Sequence, residues 1–143
     1  MSGPRTIRVV AAVIERGGDY LITQRRPSAV LPLLWEFPGG RVEDGETDAD
    51  ALRREGKHRL GVEVQPGQLI SFVSHPYEHY TVDLYLYECR IAAGEPKELN
   101  VHSFKWVTSG DFDQYPFTPA DELSMNKLLG LGRSIEKVRE IAQ

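Results

Sequence analysis

The stretch from Gly40 to Val62 reads GRVEDGETDADALRREGKHRLGV and contains one clearly bounded helix. Thr47 is a favourable N-cap, because its hydroxyl can accept a hydrogen bond from an unpaired N–H of the first turn. Asp48 and Asp50 follow, where carboxylates complement the positive end of the helix dipole. Gly61 is typical of the residue that ends a helix. These local signals predict a helix between Thr47 and Gly61.

The two faces of this helix carry different residues. One face, at helical spacing, carries Leu52, Gly56 and Leu60. This face should pack on a sheet, and a second face should look into a cleft. The second face carries Glu55, His58 and Arg59. A glycine inside a helix costs about 1 kcal/mol relative to alanine. Gly56 therefore indicates either a close backbone contact or a relaxed constraint on the helix.

Apolar and β-branched runs predict β-strands on both sides of this helix. The predicted strands are Ile7–Ile14, Tyr20–Gln24, Leu69–Val73, Thr81–Arg90 and Phe104–Val107. Arg16–Asp19 predicts a hairpin turn, and Pro27–Leu34 an irregular loop. Two further helices are predicted over Asp121–Leu129 and Arg133–Ala142. Strands with a helix on each side predict an α/β fold with an α/β/α sandwich.

The composition is that of a soluble globular protein, with 41% hydrophobic and 27% charged residues in 143. A net charge of -4 argues against duplex nucleic acid as a partner, while a small anionic ligand remains compatible. The apolar run Val9–Ile14 is too short for a signal-peptide core or a membrane span, so the cytoplasm is expected. Cys89 is the single cysteine, which excludes an internal disulfide, and its strand pattern predicts a packed core thiol.

The Gly40–Val62 stretch resembles the Nudix box of MutT-like nucleoside polyphosphate hydrolases, G-x5-E-x7-R-E-U-x-E-E-x-G-U with U aliphatic. Six of its nine defined positions match, and they are Gly40, Glu46, Arg54, Glu55, Gly61 and Val62. Gly56 replaces the aliphatic residue, while His58 and Arg59 replace the paired glutamates. The resemblance covers about residues 5–130 and implies the Nudix α/β/α sandwich with a mixed sheet. We expect a single domain over 1–143, with 131–143 as a C-terminal helical extension.

The resemblance implies a divalent cation, Mg²⁺ or Mn²⁺, bound by the Gly40 carbonyl, Glu55 and the residue at position 58. Hard cations prefer oxygen ligands, so His58 is a poor ligand for Mg²⁺ and a fair one for Mn²⁺ or Zn²⁺. Alternatively, His58 is only a solvated histidine. Arg59 cannot bind a cation, because its guanidinium stays protonated. It can pair with Glu55 at i,i+4, or face a phosphate in place of a metal. We therefore expect weak metal binding.

Other residues that the resemblance implies are partly retained. Glu46 and Arg54 are expected to brace the loop and to orient the catalytic Glu55. MutT-like enzymes often supply one more glutamate six residues before a tryptophan that resembles Trp106. Here that position is Asn100, and Glu98 could take its place only in a reshaped loop.

The substrate-binding parts resemble the family more closely. LITQRR is similar to the strand whose arginine contacts phosphate, which places that role at Arg25, although a solvated strand end is an equal alternative. WEFPGG implies that Phe37 borders the base pocket, and the Gly39-Gly40 pair would permit backbone conformations closed to other residues and a close ligand approach.

The stretch FTPAD, at 117–121, resembles the stretch of MutT-like enzymes whose last residue reads the nucleotide base. A carboxylate at Asp121 accepts hydrogen bonds and suits an amine such as cytosine N4. Asp121 is equally a candidate N-cap for the following helix. His75–Tyr80 carries groups that could stack on a base, or is simply a polar loop between strands.

Two classes of function remain open. The first is a pyrophosphohydrolase that cleaves nucleoside triphosphates to the monophosphate and pyrophosphate with an altered metal site. The second is an inactive Nudix-fold pseudoenzyme that binds a small nucleotide or a protein partner, alone or as a homodimer. Arg59 in place of a glutamate reverses the local charge and favours the second class.

Overall fold

The computed structural model describes residues 5–126, and its elements follow the predicted order. Within this range the strands are β1 (Arg5–Arg16), β2 (Asp19–Gln24), β3 (Trp35–Glu36), β4 (Gly39–Arg41), β5 (Glu63–Pro76), β6 (Tyr80–Ala93) and β7 (Ser103–Val107). Helix α1 spans Asp48–Leu60, and a 3-10 helix spans Ser109–Gln114. Residues 119–126 are helical up to the end of the described range and form α2.

The strands form a mixed sheet in the order β3-β2-β1-β6-β5, with β4 paired to β1 and β7 paired to β2. β1 and β6 run parallel, from Arg5 opposite Tyr80 to Ile14 opposite Cys89. The other strand pairs of the described residues are antiparallel. The predicted mixed sheet is therefore confirmed, and β1 is the strand that joins its parts.

The β1–β2 connection forms the predicted hairpin. Glu15 pairs with Tyr20, and the turn residues Gly17 and Gly18 have φ of 59° and 88°. Positive φ at both central positions is the geometry that matches the right-handed twist of the strands, and glycine adopts it without strain.

Two hydrophobic cores lie on opposite faces of the sheet, because β1 alternates between them. Val10 and Ala12 face α1 and pack in one core with Leu52 and Leu60 of that helix. The opposite core contains Ala11, Val13, Leu84, Leu86, Phe37, Phe112, Phe117 and Met125. The layers on either side of the sheet are thus α1 and the 3-10 helix with α2, which confirms the predicted α/β/α sandwich.

Each predicted strand is present, and β1, β5 and β6 are longer than predicted. The prediction missed β3 and β4, which have only two and three residues. Such short strands carry no periodic pattern of their own and are formed by pairing with β2 and β1. The helix predicted over Asp121–Leu129 is present up to residue 126 and begins two residues earlier than predicted, at 119; residues 127–129 lie outside the described range.

Three remaining predictions concern Cys89, the C-terminal helix and the membrane. Cys89 is buried at 7% exposure, and burial raises the pKa of its thiol to about 11, which confirms a core thiol. The helix predicted over Arg133–Ala142 lies outside the described residues. None of the helices within residues 5–126 combines the length and the apolar character that crossing a membrane requires.

Candidate functional site

Helix α1 is positioned by its two caps and by one close contact. The Thr47 hydroxyl accepts a hydrogen bond from the Asp50 N–H at 3.1 Å, and Gly61 ends the helix with a φ of 69°. A Cβ on Gly56 would overlap Cγ2 of Val64 in β5. Glycine at position 56 therefore permits the close packing of α1 on β5, which leaves the opposite face of the helix in the cleft.

Glu55 is held by two arginines in the cleft. Arg54 Nη1 lies 2.7 Å from its Oε1, and Arg59 Nε lies 2.5 Å from its Oε2. The carboxylate is 8% exposed, and a Cβ on Gly40 would come within 2.5 Å of its Cδ. Both oxygens of Glu55, the predicted catalytic glutamate, are thus already paired with arginines. Glu55 also lies against Gly40, whose carbonyl was expected to be another ligand of the metal ion.

Arg54 connects Glu55 to the preceding loop. Its Nε lies 2.8 Å from Glu46 Oε2 and its Nη2 3.0 Å from Glu46 Oε1, while Nη2 also donates to the Arg41 carbonyl at 2.8 Å. The Arg54 hydrogen bond, with help from the Glu43 N–H, lowers the pKa of Glu46 to about 2. These contacts are the ones that the expected bracing role of Glu46 and Arg54 requires.

The other predicted metal positions carry no carboxylate in the cleft. The His58 side chain is exposed, and its carbonyl accepts a hydrogen bond from Asn100 Nδ2 at 2.7 Å. The Asn100 N–H donates to the Arg59 carbonyl at 3.0 Å, while Glu98 is exposed. Residues 5–126 contain no group of three or more His, Cys, Asp or Glu that could hold a metal ion. The donor set therefore does not fit Mg²⁺, which requires several oxygen ligands.

Arg25 lies beside a partly buried carboxylate, Glu36, that sequence reasoning missed. Its Nη1 lies 3.2 and 3.3 Å from the two Glu36 oxygens, and its Nε donates to the Val30 carbonyl at 2.6 Å. Glu36 is 16% exposed, and burial raises its pKa, while the charges of Arg25 and Arg59 act in the opposite direction. The sequence signal for Glu36 was the presence of a charged residue between Trp35 and Phe37, which both pack in the core.

Close contacts account for the glycine pair Gly39-Gly40. Among the described glycines, those with positive φ are Gly17, Gly18, Gly45, Gly61 and Gly94. Gly39 and Gly40 are not among them, so neither uses the backbone freedom that a glycine pair permits. Contact excludes side chains there instead, since a Cβ on Gly39 would overlap the Val10 carbonyl and lie 2.7 Å from Ala11 Cα.

Asp121 is buried and braces two segments. Its Oδ1 accepts a hydrogen bond from the Phe37 N–H at 3.0 Å, and its Oδ2 lies 2.5 Å from the Thr118 hydroxyl. Burial first, and then the nearby Glu36 charge, raise its pKa to about 7. The alternative of Asp121 as an N-cap is wrong, because Thr118 precedes α2 and accepts from the Asp121 N–H. Asp121 is the third residue of the first turn.

Phe37 itself is 2% exposed and packs against Phe112 and Phe117. All three rings line a cavity of about 1280 Å³ on the α2 side of the sheet. At the β5–β6 turn, Tyr77 stacks on Tyr80 with ring centroids 5.2 Å apart, and its hydroxyl accepts from the Ala120 N–H at 3.4 Å. The β5–β6 turn thereby contacts the first turn of helix α2, next to Asp121.

The predicted site residues thus divide into two groups. Arg25, His58 and Arg59 line one small pocket, together with Asn100, next to Glu55. Phe37 and Asp121 form a second group and are linked by their hydrogen bond. Glu36 connects the two groups, because its charge acts on Asp121 and it pairs with Arg25.

Known proteins share both the sequence pattern and the fold. Residues 9–127 match the model of the NUDIX domain. A CTP pyrophosphohydrolase of Escherichia coli is 32% identical over 117 residues, which are 82% of this chain and 87% of that protein. An 8-oxo-dGTP diphosphatase of Haemophilus influenzae is 29% identical over 126 residues, 87% of this chain and 93% of that protein.

A solved structure supports the same assignment. The solution structure of the ORF135 protein of Escherichia coli matches with a TM-score of 0.78 and 29% identity, covering 92% of this chain and 94% of that one. From the box residues, the α/β/α sandwich and these matches together, the chain belongs to the NUDIX domain family, as a MutT-like member.

Proposed function

We propose that this chain binds nucleoside triphosphates and hydrolyses them to the monophosphate and pyrophosphate at a strongly reduced rate. Nudix hydrolases act on small nucleotides and generally use divalent metals. The observation that carries the proposed reduction is the pairing of both Glu55 oxygens with Arg54 and Arg59. A cation that is to bind Glu55 must displace one of these arginines.

The reduction has an electrostatic basis. Two unit charges 4 Å apart interact by about 4 kcal/mol at the effective dielectric constant near a protein surface. In a typical Nudix box the residue at position 59 is a carboxylate that attracts the cation. Here the fixed positive charge of Arg59 repels it, so the local field changes sign.

A second candidate is the inactive pseudoenzyme, which binds a nucleotide or a protein partner without turnover. It is favoured by Asn100, whose amide occupies the position expected for the additional glutamate and bonds to the end of α1. Turnover above the rate without protein, in either Mg²⁺ or Mn²⁺, separates the first candidate from the second.

The proposal is tested by titration and by a nucleotide panel. We expect calorimetry with Mg²⁺ alone to give a dissociation constant in the millimolar range, because one ion-paired carboxylate is a poor site. Thermal shift and phosphate release are then measured with CTP, GTP, dCTP and 8-oxo-dGTP. Micromolar Mg²⁺ binding that Glu55→Gln abolishes would contradict the weakened site, and no thermal shift with any nucleotide would contradict nucleotide binding.

We further propose that Asp121 selects a base that presents an amine, with cytosine first. Support comes from the acceptor character of a carboxylate and from the Escherichia coli relative that is named a CTP pyrophosphohydrolase. Each carboxylate oxygen has two acceptor sites, so the bonds from Phe37 and Thr118 leave one free on each. Because its pKa is about 7, Asp121 ionises, and the preference for cytosine grows, as the pH rises through neutrality.

Asp121→Asn should reduce the preference for CTP over GTP by roughly tenfold to a hundredfold at pH 8, since one hydrogen-bonded pair discriminates by about 1–3 kcal/mol. The asparagine has the same shape and can still accept from the Phe37 N–H. Competition binding with the two nucleotides gives the ratio. Equal affinity of the unaltered protein for CTP and GTP at pH 8 would exclude this role.

Stability against pH provides the control for a purely structural effect. The pKa of Asp121 is raised in the folded protein, so the unfolded chain loses this proton first, at its ordinary pKa near 4. The resulting stabilisation is complete below pH 4 and is lost between about pH 4 and 7. Asp121→Asn should flatten that decline in urea unfolding. Flattening without any change in the CTP-to-GTP ratio would leave Asp121 only its bracing role.

A further inference from the structure

A small basic pocket lies where a Nudix box usually holds its cations. It has a volume of about 230 Å³ and is lined by Arg25, Arg26, Ser28, Ala29, His58, Arg59 and Asn100. Since a molecule of liquid water takes up about 30 Å³, this volume has room for about seven water molecules, which is enough for a diphosphate group. Its lining combines three arginines with three polar side chains and contains no carboxylate.

The arginines of this pocket keep donors that the protein does not use. Arg59 bonds to Glu55 through Nε, and Arg25 bonds through Nε and Nη1. The remaining terminal nitrogens of both guanidinium groups have no hydrogen-bond partner among residues 5–126. Arg26 is exposed, and its side chain forms no ion pair within that range. Planar guanidinium groups with free N–H pairs are suited to bidentate binding of phosphate oxygens.

The carboxylates near the pocket fix the arginines and do not cancel them. Glu55 holds Arg59 by its Nε edge, and Glu36 holds Arg25, so both guanidinium groups are oriented before a ligand arrives. Arg54 is paired with Glu46 as well as with Glu55, so the positive excess of the pocket comes from Arg26, which has no carboxylate partner among the described residues. Orientation in advance reduces the entropy lost on binding.

We propose that this pocket binds a diphosphate group directly, without a divalent cation. The group is either the terminal phosphates of a nucleotide or free inorganic pyrophosphate, which share the same oxygens and charge. The inference rests on the proposed function, because both use the same cleft. Arg25, Arg26 and Arg59 take the place of the metal ion that usually bridges the enzyme and the phosphate.

The proposal predicts an unusual response to Mg²⁺. In a metal-bridged site, Mg²⁺ increases the affinity for pyrophosphate. In this pocket Mg²⁺ complexes pyrophosphate in solution, lowers its charge and competes with the arginines. Affinity should therefore fall when Mg²⁺ is added, and it should also fall steeply with salt, because the contacts are ionic.

The test is calorimetric titration of the full chain with sodium pyrophosphate in EDTA. We expect saturable one-to-one binding that Mg²⁺ weakens. Arg59→Gln and Arg26→Gln should each reduce the affinity roughly tenfold or more, as expected for loss of a charged hydrogen-bonding group. Arg53→Gln is the matched control on the outer face of α1, since Arg53 is 57% exposed and pairs only with Asp50 among the described residues, and it should bind like the unaltered protein.

The variants are compared by circular dichroism and thermal unfolding. Arg26→Gln keeps the test valid if Arg59→Gln loses stability together with its Glu55 pair. Pyrophosphate binding that requires Mg²⁺, or that both variants leave unchanged, would overturn the proposal. A parallel titration with CTP separates it from the proposed function: CTP binding with Mg²⁺ but no pyrophosphate binding in EDTA overturns only this inference. No binding of CTP or pyrophosphate in any condition overturns both.

Discussion

Replacing His58 and Arg59 together by glutamate should raise triphosphate hydrolysis in Mg²⁺ roughly a hundredfold or more. The change places three carboxylates at helix positions i, i+3 and i+4 and releases Glu55 Oε2 from Arg59. A bound cation supplies several kcal/mol of charge stabilisation, and each 1.36 kcal/mol corresponds to tenfold in rate. Pyrophosphate release with CTP measures the rate, and calorimetry measures the gain in Mg²⁺ affinity.

The structure suggests that this double variant folds. Asn100 contacts the end of α1 through the carbonyl oxygens of His58 and Arg59, and these backbone bonds do not depend on the replaced side chains. Arg53→Glu with Lys57→Glu is the matched control, because both residues are exposed on the same helix outside the cleft. A folded double variant that gains neither metal affinity nor turnover would show that Asn100, or the pocket itself, limits activity.

The same double variant should lose metal-free pyrophosphate binding, because it removes Arg59 and adds two negative charges to the pocket. Gain of metal-dependent turnover and loss of metal-free binding should therefore occur together. Such an exchange would mean that the residues at positions 58 and 59 decide whether phosphate is bound through a metal ion from solution or through arginine side chains of the protein.

Gly39→Ala should lower the free energy of unfolding by about 3 kcal/mol or more, the upper part of the range for overpacking. The added Cβ would overlap the Val10 carbonyl, and Ala11 Cα would lie 2.7 Å from it. Both are backbone atoms of β1 at its pairing with β4, where Ala11 lies opposite Gly39, so a rotamer change cannot relieve the clash. Urea unfolding followed by circular dichroism gives the difference.

Gly110→Ala is the control for Gly39→Ala. Its added Cβ would meet only Thr108 Oγ1, at 4.0 Å, and Gly110 is not among the glycines with positive φ. Its stability should stay within about 0.5 kcal/mol of the unaltered protein. Equal stability of the two alanine variants would contradict the close approach of β4 to β1.

Elements defined by local chemistry could be predicted from the sequence. The cap at Thr47 and the stop at Gly61 involve neighbours within a few residues, so α1 was predicted to within a residue. The Gly17-Gly18 hairpin and the Glu55–Arg59 pair are local in the same sense. β3 and β4 could not be predicted, since each exists only through pairing with a strand that is distant in the chain.

The sequence by itself determined the family, the sandwich fold and the loss of the paired box glutamates, because spacing and residue type suffice for these. Only the tertiary structure decided which groups meet. It brought Arg26 and Asn100 beside Arg59, placed the partly buried Glu36 between the two halves of the site, and joined Asp121 to the Phe37 N–H. The physical reason is separation along the chain: Asp121 and Phe37 are 84 residues apart, and no local pattern records such a contact.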